Sequence, residues 1–447
     1  MKLQQLVYFI VLILVLSGGN LGAETVVRDE TSAHEEVHSN EGAHHNEDHH
    51  EDAHHEDAHH DEGHLGCGEH HGEYDAGATA MHHIADANVY SIGPFSIPLP
   101  CIVYVKGEGL KIFSSGKFDP GHHGNGHYAI DGFVLNGGAL NRVSDSSFPK
   151  EKVEVCDFSY RKGILSKGEH DSKVVEEEIE IPVVVLKDGR QFDLEAKSTL
   201  DGGLFGGGIT SWYDFSLTKN VVSMIIVFIF LTWMFFAIRK LYQKNEGNAP
   251  SGIQSFVEPV FAFIQDEVSK PILGNKWEKY QPFLMSVFFF ILGLNLFGQI
   301  PFFGNSNVTG HISVTIALAL FTALVVNLSG NKHYWEHILW MPGVPAFVKV
   351  ILTPVELLGV ILKPMTLFIR LFGNLSAGHM VIVIFVSLIF IFGQAGESLT
   401  GSISGIALSV PLTMFMLALE LLVAFLQAFV FTILSAVYIG AAVEEHH

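Results

Sequence analysis

The second half of this 447-residue chain has very few charged residues. Between Tyr280 and Asn331 there is no Lys, Arg, Asp or Glu, and between Leu367 and Phe392 the one charged side chain is that of Arg370. About 20 apolar residues are enough to cross the hydrocarbon core of a bilayer as a helix. The scarcity of charge therefore argues against a water-soluble domain over residues 217–447 and predicts a membrane domain there.

Cysteine is also scarce, and the three cysteines show no C-x-x-C spacing. Cys101 and Cys156 could form a disulfide if their region is exported, but the odd count leaves the pairing open. The chain has no glycine-rich loop followed by Lys and Ser or Thr, so it is not expected to bind a nucleotide itself. We expect no enzymatic activity of the chain alone, no cofactor, no resident metal and no nucleic-acid partner.

Residues 1–23 have the pattern of a secretory signal peptide. Lys2 provides the positive start, residues 6–16 form the apolar core, and Leu21-Gly22-Ala23 is a small-residue end suited to cleavage. An uncleaved membrane anchor is the alternative, and it gives nearly the same orientation. The chain that follows is expected outside the cytoplasm.

Residues 24–83 supply most of the formal charge of −21, because they hold 17 acidic side chains against one basic residue, Arg28. Repeated His-His pairs alternate with Asp and Glu from residue 44 to 63, with no large apolar residue to form a core. We predict a disordered acidic His-rich segment. A solvated spacer is the simpler interpretation, and transient chelation of zinc, copper or nickel is the alternative.

Residues 84–216 are interpreted as an extracytoplasmic extension that is rich in β-structure. Residues 183–186 and 191–194 are apolar runs separated by Asp188-Gly189, a pair typical of hairpin turns. Residues 153–158 are another candidate strand. Glycines between residues 202 and 208 indicate a flexible join to the membrane domain.

For residues 217–447 the pattern predicts an all-α polytopic membrane protein with about five transmembrane helices. The first covers residues 221–238 and ends at Arg239 and Lys240, which places its C-terminal end in the cytoplasm. Two more cover 282–300 and 311–330, and 252–272 is expected to be an amphipathic interfacial helix. The last two cover 350–392, with breaks allowed at Pro354 and Pro364, and 411–443. These two are long enough to require steep tilt, and the C-terminus is expected in the cytoplasm.

Polar side chains recur along the last two helices at helical spacing. Glu356, Lys363 and Arg370 are seven residues apart and Asn374 follows four later, so these side chains share one face. His379 lies nine residues beyond Arg370, on the opposite side of the helix. On the final helix Glu420 and Gln427 also share a face. Lys363 is expected to anchor at the interface or to pair with Glu356.

An arginine inside a membrane helix indicates a functional site by default. It cannot become neutral by losing its proton, and its insertion costs about 2.5–3.5 kcal/mol even on the lower scales. One function that uses such a residue is a secondary transporter or ion channel in which Arg370 binds an anion. Such transporters often contain inverted repeats, and this chain has no second copy of the arginine segment.

The run Lys363-Pro364-Met365-Thr366-Leu367-Phe368-Ile369-Arg370-Leu371-Phe372-Gly373-Asn374-Leu375-Ser376-Ala377-Gly378-His379 closely resembles the signature of subunit a of the F-type ATP synthase. The resemblance continues through Glu420 and residues 426–431 and covers about residues 210–447. It implies a proton-channel stator subunit of the F0 sector in a bacterial inner membrane. The implied partners are a ring of c subunits, the b subunits and the rest of the F1F0 complex, within the lipid bilayer.

The resemblance also implies roles for individual residues. Arg370 matches the essential arginine that faces the c-ring. His379 and Glu420 match the outer half-channel, with acid and histidine exchanged relative to some bacterial members. Asn374 and Gln427 match polar positions that line the channel or face the ring. Glu356 matches an acidic residue of the inner half-channel. His311 and Ser313 stand where many members have Asp and Asn, so details of proton uptake do not transfer to them.

Overall fold

The computed structural model describes residues 85–92, 95–121, 124–143, 145–170, 173–199, 209–244, 249–300, 307–341, 343–393 and 398–444. The predicted signal peptide, the His-rich segment and most of the glycine-rich join lie outside these residues. The described chain has strands and one 3₁₀ turn, Ser115–Phe118, up to residue 214, and α-helices from residue 219 onward.

The strands of the extension pair antiparallel in three sheets. Their order is β1-β2 in the first sheet, β5-β8-β9-β10-β7-β6 in the second and β11-β3-β4 in the third. The strand bounds are β1 Val89–Ile92, β2 Phe95–Pro98, β3 Pro100–Val105, β4 Gly109–Ser114, β5 Tyr128–Ala129, β6 Phe133–Asn136, β7 Ala139–Val143, β8 Val153–His170, β9 Lys173–Leu186, β10 Gln191–Glu195 and β11 Trp212–Asp214.

The turn between β9 and β10 lies where the sequence predicts a hairpin. Val183 pairs with Asp193 and Val185 with Gln191, and the connecting Gly189 has a φ of 83°. This left-handed conformation is one that glycine adopts without a Cβ clash. On β9 the four residues from Val183 to Leu186 are all buried, whereas on β10 Phe192 and Leu194 are buried and Gln191 and Asp193 are exposed. Only β10 therefore shows the alternation expected of a half-buried strand.

The cysteine pairing considered from the sequence is wrong. Cys156 is disulfide-bonded, whereas Cys101 is free and buried. Cys101 points from β3 into a core with Val103 and Val105, all fully buried. Burial there, with the nearby Asp214 carboxylate as a second cause, raises the pKa of the Cys101 thiol to about 12. The thiol is therefore protonated and unreactive at neutral pH.

Eight α-helices are described in the membrane half. Their bounds are α1 Lys219–Lys244, α2 Ile253–Ile264, α3 Lys270–Leu273, α4 Trp277–Gln299, α5 Ile312–Ser329, α6 Lys332–Trp340, α7 Ala346–Phe392 and α8 Leu399–Val443. A π-turn at Gln265–Ser269 joins α2 to α3, so that Ile253–Gln299 runs as one helical segment. Five helical segments of the described chain are long and apolar enough to cross a membrane. This agrees with an all-α polytopic membrane protein.

The amphipathic segment before α4 packs on the spans. In α2, Val257 and Ile264 are buried in the same hydrophobic core as the membrane helices, while Phe256 on another side is 79% exposed. Ile272 lies close to the end of α8, where a Cβ at Gly440 would be 3.2 Å from the Ile272 carbonyl oxygen. The C-terminal end of α8 therefore lies on the same side of the bundle as this segment.

The last two helices are longer than the sequence indicates. α7 has 47 residues and passes through Pro354 and Pro364 without a break, and α8 has 45 residues and begins at Leu399 rather than at residue 411. Membrane helices tolerate interior proline because neighbouring groups satisfy the freed carbonyls. The true start of α8 is marked by Ser398, whose hydroxyl accepts a hydrogen bond from the Gly401 amide. Each helix is about 70 Å long at about 1.5 Å per residue.

The extension is hydrogen-bonded to the start of α1. The Lys219 amide donates to the Ala87 carbonyl at 2.8 Å, and the Asn220 amide donates to the Asp86 carboxylate at 3.2 Å. The first N–H groups of a helix have no partner within the helix. Here the extension supplies these partners, which fixes it to the first transmembrane helix.

Candidate functional site

Arg370 lies on an open face of α7. Its side chain and that of Asn374 are exposed. Gly373 lies between them, and no atom beyond its chain neighbours and the local backbone of α7 lies within 4 Å of the position that its Cβ would occupy. The same is true of Gly359, two seven-residue repeats earlier on the helix. A helix face with glycines and no covering atoms permits close approach of another helix. Arg370 therefore stands where a neighbouring protein helix can reach it.

His379 lies on the opposite side of α7 and faces the interior. It lines a cavity together with Glu420 of α8, Leu375 of α7 and residues of α4. Glu420 is only 7% exposed, and a Cβ on Gly378 would lie 3.5 Å from its Oε1 atom. Gly378 thus leaves room for the carboxyl group against α7. The structure brings His379 and Glu420 to one cavity and separates both from the face that carries Arg370.

A set of amide and hydroxyl groups forms the rest of this cavity, and the sequence interpretation missed it. Thr309 donates to Asn295 Oδ1 at 2.7 Å, and Asn295 Nδ2 donates to the Ala424 carbonyl at 3.1 Å. Gln299 Nε2 donates to the carbonyl of Glu420 at 2.9 Å. These bonds hold α4 against α8 beside Glu420. The available signal was the pair Asn295 and Gln299, four residues apart in a run without charges.

Asn374 and Gln427 have different surroundings. Asn374 is exposed beside Arg370, whereas Gln427 is 6% exposed on α8, seven residues after Glu420. His311 and Ser313, at the start of α5, are not among the residues that line the cavity with Glu420. Of the polar positions considered, Asn374 can therefore contact a partner at the open face, and Gln427 lies within the helix packing.

Toward the other end of α7, Lys363 lies between two tyrosine rings. Its Nζ atom is 5.7 Å from the centroid of Tyr438 on α8 and 6.0 Å from that of Tyr334 on α6. These distances suit cation–π interactions. The three side chains line a second cavity with Asn327 of α5, and Tyr334 donates its hydroxyl to Asn327 at 3.2 Å.

This second cavity lies between Glu356 and Arg370. Glu356 acts electrostatically on Tyr334, and Arg370 acts on Tyr438. Among the described residues, Lys363 and Glu356 form no ion pair within 4.0 Å, so the pairing considered from the sequence is replaced by ring contacts. Glu356 and Lys363 therefore belong to the end of α7 that packs on α6. The described residues contain no group of three or more His, Cys, Asp or Glu side chains that could hold a metal.

The fold and site define a polytopic membrane protein with an intramembrane arginine on one side of a long helix and, on the other, a cavity lined by a buried carboxyl group and a half-buried imidazole. A family model described as "ATP synthase A chain" matches residues 221–440. A second model, a domain of unknown function named DUF8433, matches residues 79–158 of the extension.

Individual proteins that are similar to this chain carry the same name as the first family model. ATP synthase subunit a of Chloroherpeton thalassium is 38% identical over 268 residues, which cover 58% of this chain and 76% of that protein. ATP synthase subunit a 2 of Chlorobaculum tepidum is 39% identical over 236 residues, covering 52% of this chain and 64% of the relative. Subunit a of Anaeromyxobacter dehalogenans is 37% identical over 243 residues, covering 52% and 59%. The chain belongs to the ATP synthase A chain family, whose members are the proton-channel subunits of the F0 sector.

Proposed function

We propose that the two sides of α7 serve the two steps of rotary proton transport. The cavity with His379 and Glu420 belongs to the outer half-channel, and the open face with Arg370 meets the carboxylates of a rotating c-ring. The observation that carries this proposal is the separation of the two sites: Arg370 is exposed on α7, and His379, nine residues later, lines the cavity with Glu420.

The chemistry of the Glu420 carboxyl and the His379 imidazole suits proton transfer. A carboxyl and an imidazole side chain can each take up and release a proton near neutral pH. Gln299 and Asn295 hold the backbone of α8 around Glu420, and the Glu420 carboxyl lines the same cavity as His379. A proton arriving from the outer side then passes between the two groups to a ring carboxylate.

Arg370 acts as the barrier between the half-channels. A guanidinium stays protonated at every physiological pH, and a nearby fixed cation favours the ionised form of a carboxylate. Each ring carboxylate that reaches Arg370 is therefore driven to release its proton, and a proton is repelled from passing directly. Rotation becomes the permitted route, and each charge that crosses 100 mV releases about 2.3 kcal/mol. Asn374, exposed one turn later on the same face, contacts the same ring.

The inner half-channel is assigned to the second cavity. Lys363, Tyr334, Tyr438 and Asn327 line it, and Glu356 lies near Tyr334. In the proposed orientation the extension is outside the cytoplasm and the C-terminus inside, in agreement with Arg239 and Lys240 at the end of α1. The partners are the c-ring, the b subunits and the remaining F1F0 subunits, and the coupling ion is H⁺.

The test is ATP-driven proton pumping by membrane vesicles that contain Glu420→Gln or Glu420→Asp variants. The glutamine variant keeps the size of the side chain and removes the titrating group, so pumping is expected to be lost. The aspartate variant keeps the carboxyl and is expected to retain part of the activity. Wild-type pumping by the glutamine variant, in complexes present at normal amounts, would overturn the role of Glu420.

A further inference from the structure

The sheet formed by β11, β3 and β4 has one buried face and one exposed apolar face. Cys101, Val103 and Val105 of β3 are fully buried on the inner face. Because successive side chains of a strand point to opposite faces, their neighbours point outward. Six outward residues form two cross-strand rows and are called here the outer sheet face: Tyr213, Tyr104 and Leu110 in one row, and Phe215, Ile102 and Ile112 in the next.

The outer sheet face is apolar, and four of its six side chains are exposed. Leu110 is 62% exposed, Ile112 66%, Tyr104 45% and Phe215 49%. None of its six side chains is charged. Scattered apolar side chains are normal on protein surfaces, but a contiguous uncharged patch marks an interaction site.

This face continues directly into the first transmembrane helix. After β11 the chain stays hydrogen-bonded to β3. The Phe215 amide donates to the Ile102 carbonyl at 2.8 Å, and the Leu217 amide donates to the Pro100 carbonyl at 3.2 Å. The helix α1 then begins at Lys219. Leu217 and Pro100 thus form a third apolar pair of neighbours between the outer sheet face and the membrane-spanning helix.

The side chains at the rim of the face are those found at membrane–water interfaces. Lys106 lies 5.5 Å from the centroid of the Tyr213 ring and donates to the Thr210 carbonyl. Tyrosine is enriched at the headgroup level of bilayers, and lysine extends its ammonium toward headgroups while its stem stays on apolar surface. On β2, which leads straight into β3, Phe95 is a further aromatic side chain with 72% exposure.

We propose that the outer sheet face rests on the bilayer, in the headgroup region of the leaflet from which α1 enters. The extension would then be a membrane-bound module rather than a domain held above the surface. Its apolar rows would be covered by lipid, in continuity with the lipid-facing side chains Ile229 and Phe230 of α1, which are 59% and 52% exposed. The proposal depends on insertion of α1 and not on the roles of Arg370 or Glu420, so it can fail independently of them.

The test uses nitroxide labels on the assembled complex in lipid nanodiscs. Leu110→Cys and Ile112→Cys place labels on the outer sheet face, where the exposed side chains tolerate substitution. Glu151→Cys, at an exposed polar position of the same extension, is the matched control. The unsubstituted chain, treated in parallel, gives the background from its own cysteines. Power-saturation electron paramagnetic resonance compares collisions with oxygen, which partitions into lipid, and with a water-soluble nickel chelate.

Labels at Leu110 and Ile112 are expected to collide more with oxygen than with the nickel chelate, and the Glu151 label to show the reverse. If all three labels collide freely with the chelate, the face is in water and the proposal is wrong. If the two face labels are protected from both reagents in the complex but reached by the chelate in the isolated subunit, a protein partner covers the face, and this also overturns the lipid assignment.

Discussion

Replacing Asn295 by leucine tests whether the cavity beside Glu420 carries protons. Leucine has nearly the shape of asparagine, but it removes the bond from Thr309 and the bond to the Ala424 carbonyl. It also turns one polar wall of the cavity apolar. Each buried hydrogen bond contributes a net of about 0.5–1.5 kcal/mol, so the loss is about 1–3 kcal/mol. If the state that passes a proton to Glu420 loses this free energy relative to the resting state, proton uptake slows about fivefold to 150-fold, since about 1.4 kcal/mol is tenfold.

The assay is ATP-driven acidification of inverted membrane vesicles, normalised to the amount of assembled complex. Ser286→Ala is the matched control, because Ser286 lies on the same helix and donates only to the Pro282 carbonyl of its own helix. The control is expected to pump at the wild-type rate. Equal pumping by Asn295→Leu and Ser286→Ala, at equal assembly, would refute the assignment of this cavity to the proton path.

Three further predictions concern parts outside that cavity. Tyr438→Leu removes a ring 5.7 Å from the Lys363 ammonium and should cost about 0.5–2 kcal/mol of stability, seen as a lower melting temperature of the solubilised complex. Tyr438→Phe keeps the ring and should keep the wild-type melting temperature. Equal losses in the two variants would exclude the ring contact. The hydrogen bond from Lys111 holds the pKa of Glu108 below its usual range, so this carboxylate adds stability above its ordinary pKa that disappears as pH falls through the lowered value. The amide protection factors in β4, which correct each exchange rate for the slower intrinsic exchange in acid, should fall on acidification, and Glu108→Gln should flatten that response. An unchanged pH profile of these protection factors would contradict it. Ser398→Ala should destabilise the start of α8 by about 1 kcal/mol, measured as faster amide exchange in its first turn, and unchanged exchange there would contradict the cap.

The spacing of polar residues predicted the central geometry. Nine residues of helix place His379 opposite Arg370, and this needs only that the helix be continuous. The structure has that continuity from Ala346 to Phe392, with Arg370 exposed and His379 at the cavity. Helical period is a local property, so it can be obtained from sequence without knowledge of the packing.

Contacts between helices could not be obtained in this way. The bond from Thr309 to Asn295 and the bond from Gln299 to the Glu420 carbonyl depend on which helices are neighbours. The position of Lys363 between two tyrosines depends on α6, a short helix that the sequence interpretation did not include.

Local rules also gave two wrong expectations. The pattern predicts that the final helix starts at Pro411, but α8 is capped by Ser398 and continues through this proline. The sequence leaves a disulfide between Cys101 and Cys156 open, but Cys101 is free and lies in the hydrophobic core under β3. In both cases the environment of the residue decides its role, and residue type alone does not.

The most direct test of rotary coupling is gradient-driven ATP synthesis by vesicles that carry Arg370→Ala. The matched control is Ile369→Ala, which removes a neighbouring apolar side chain that is 54% exposed on the same helix. Both complexes must be shown to assemble. We predict normal synthesis with Ile369→Ala and none with Arg370→Ala. Synthesis at the wild-type rate by an intact Arg370→Ala complex would contradict the assignment of this arginine to the c-ring face.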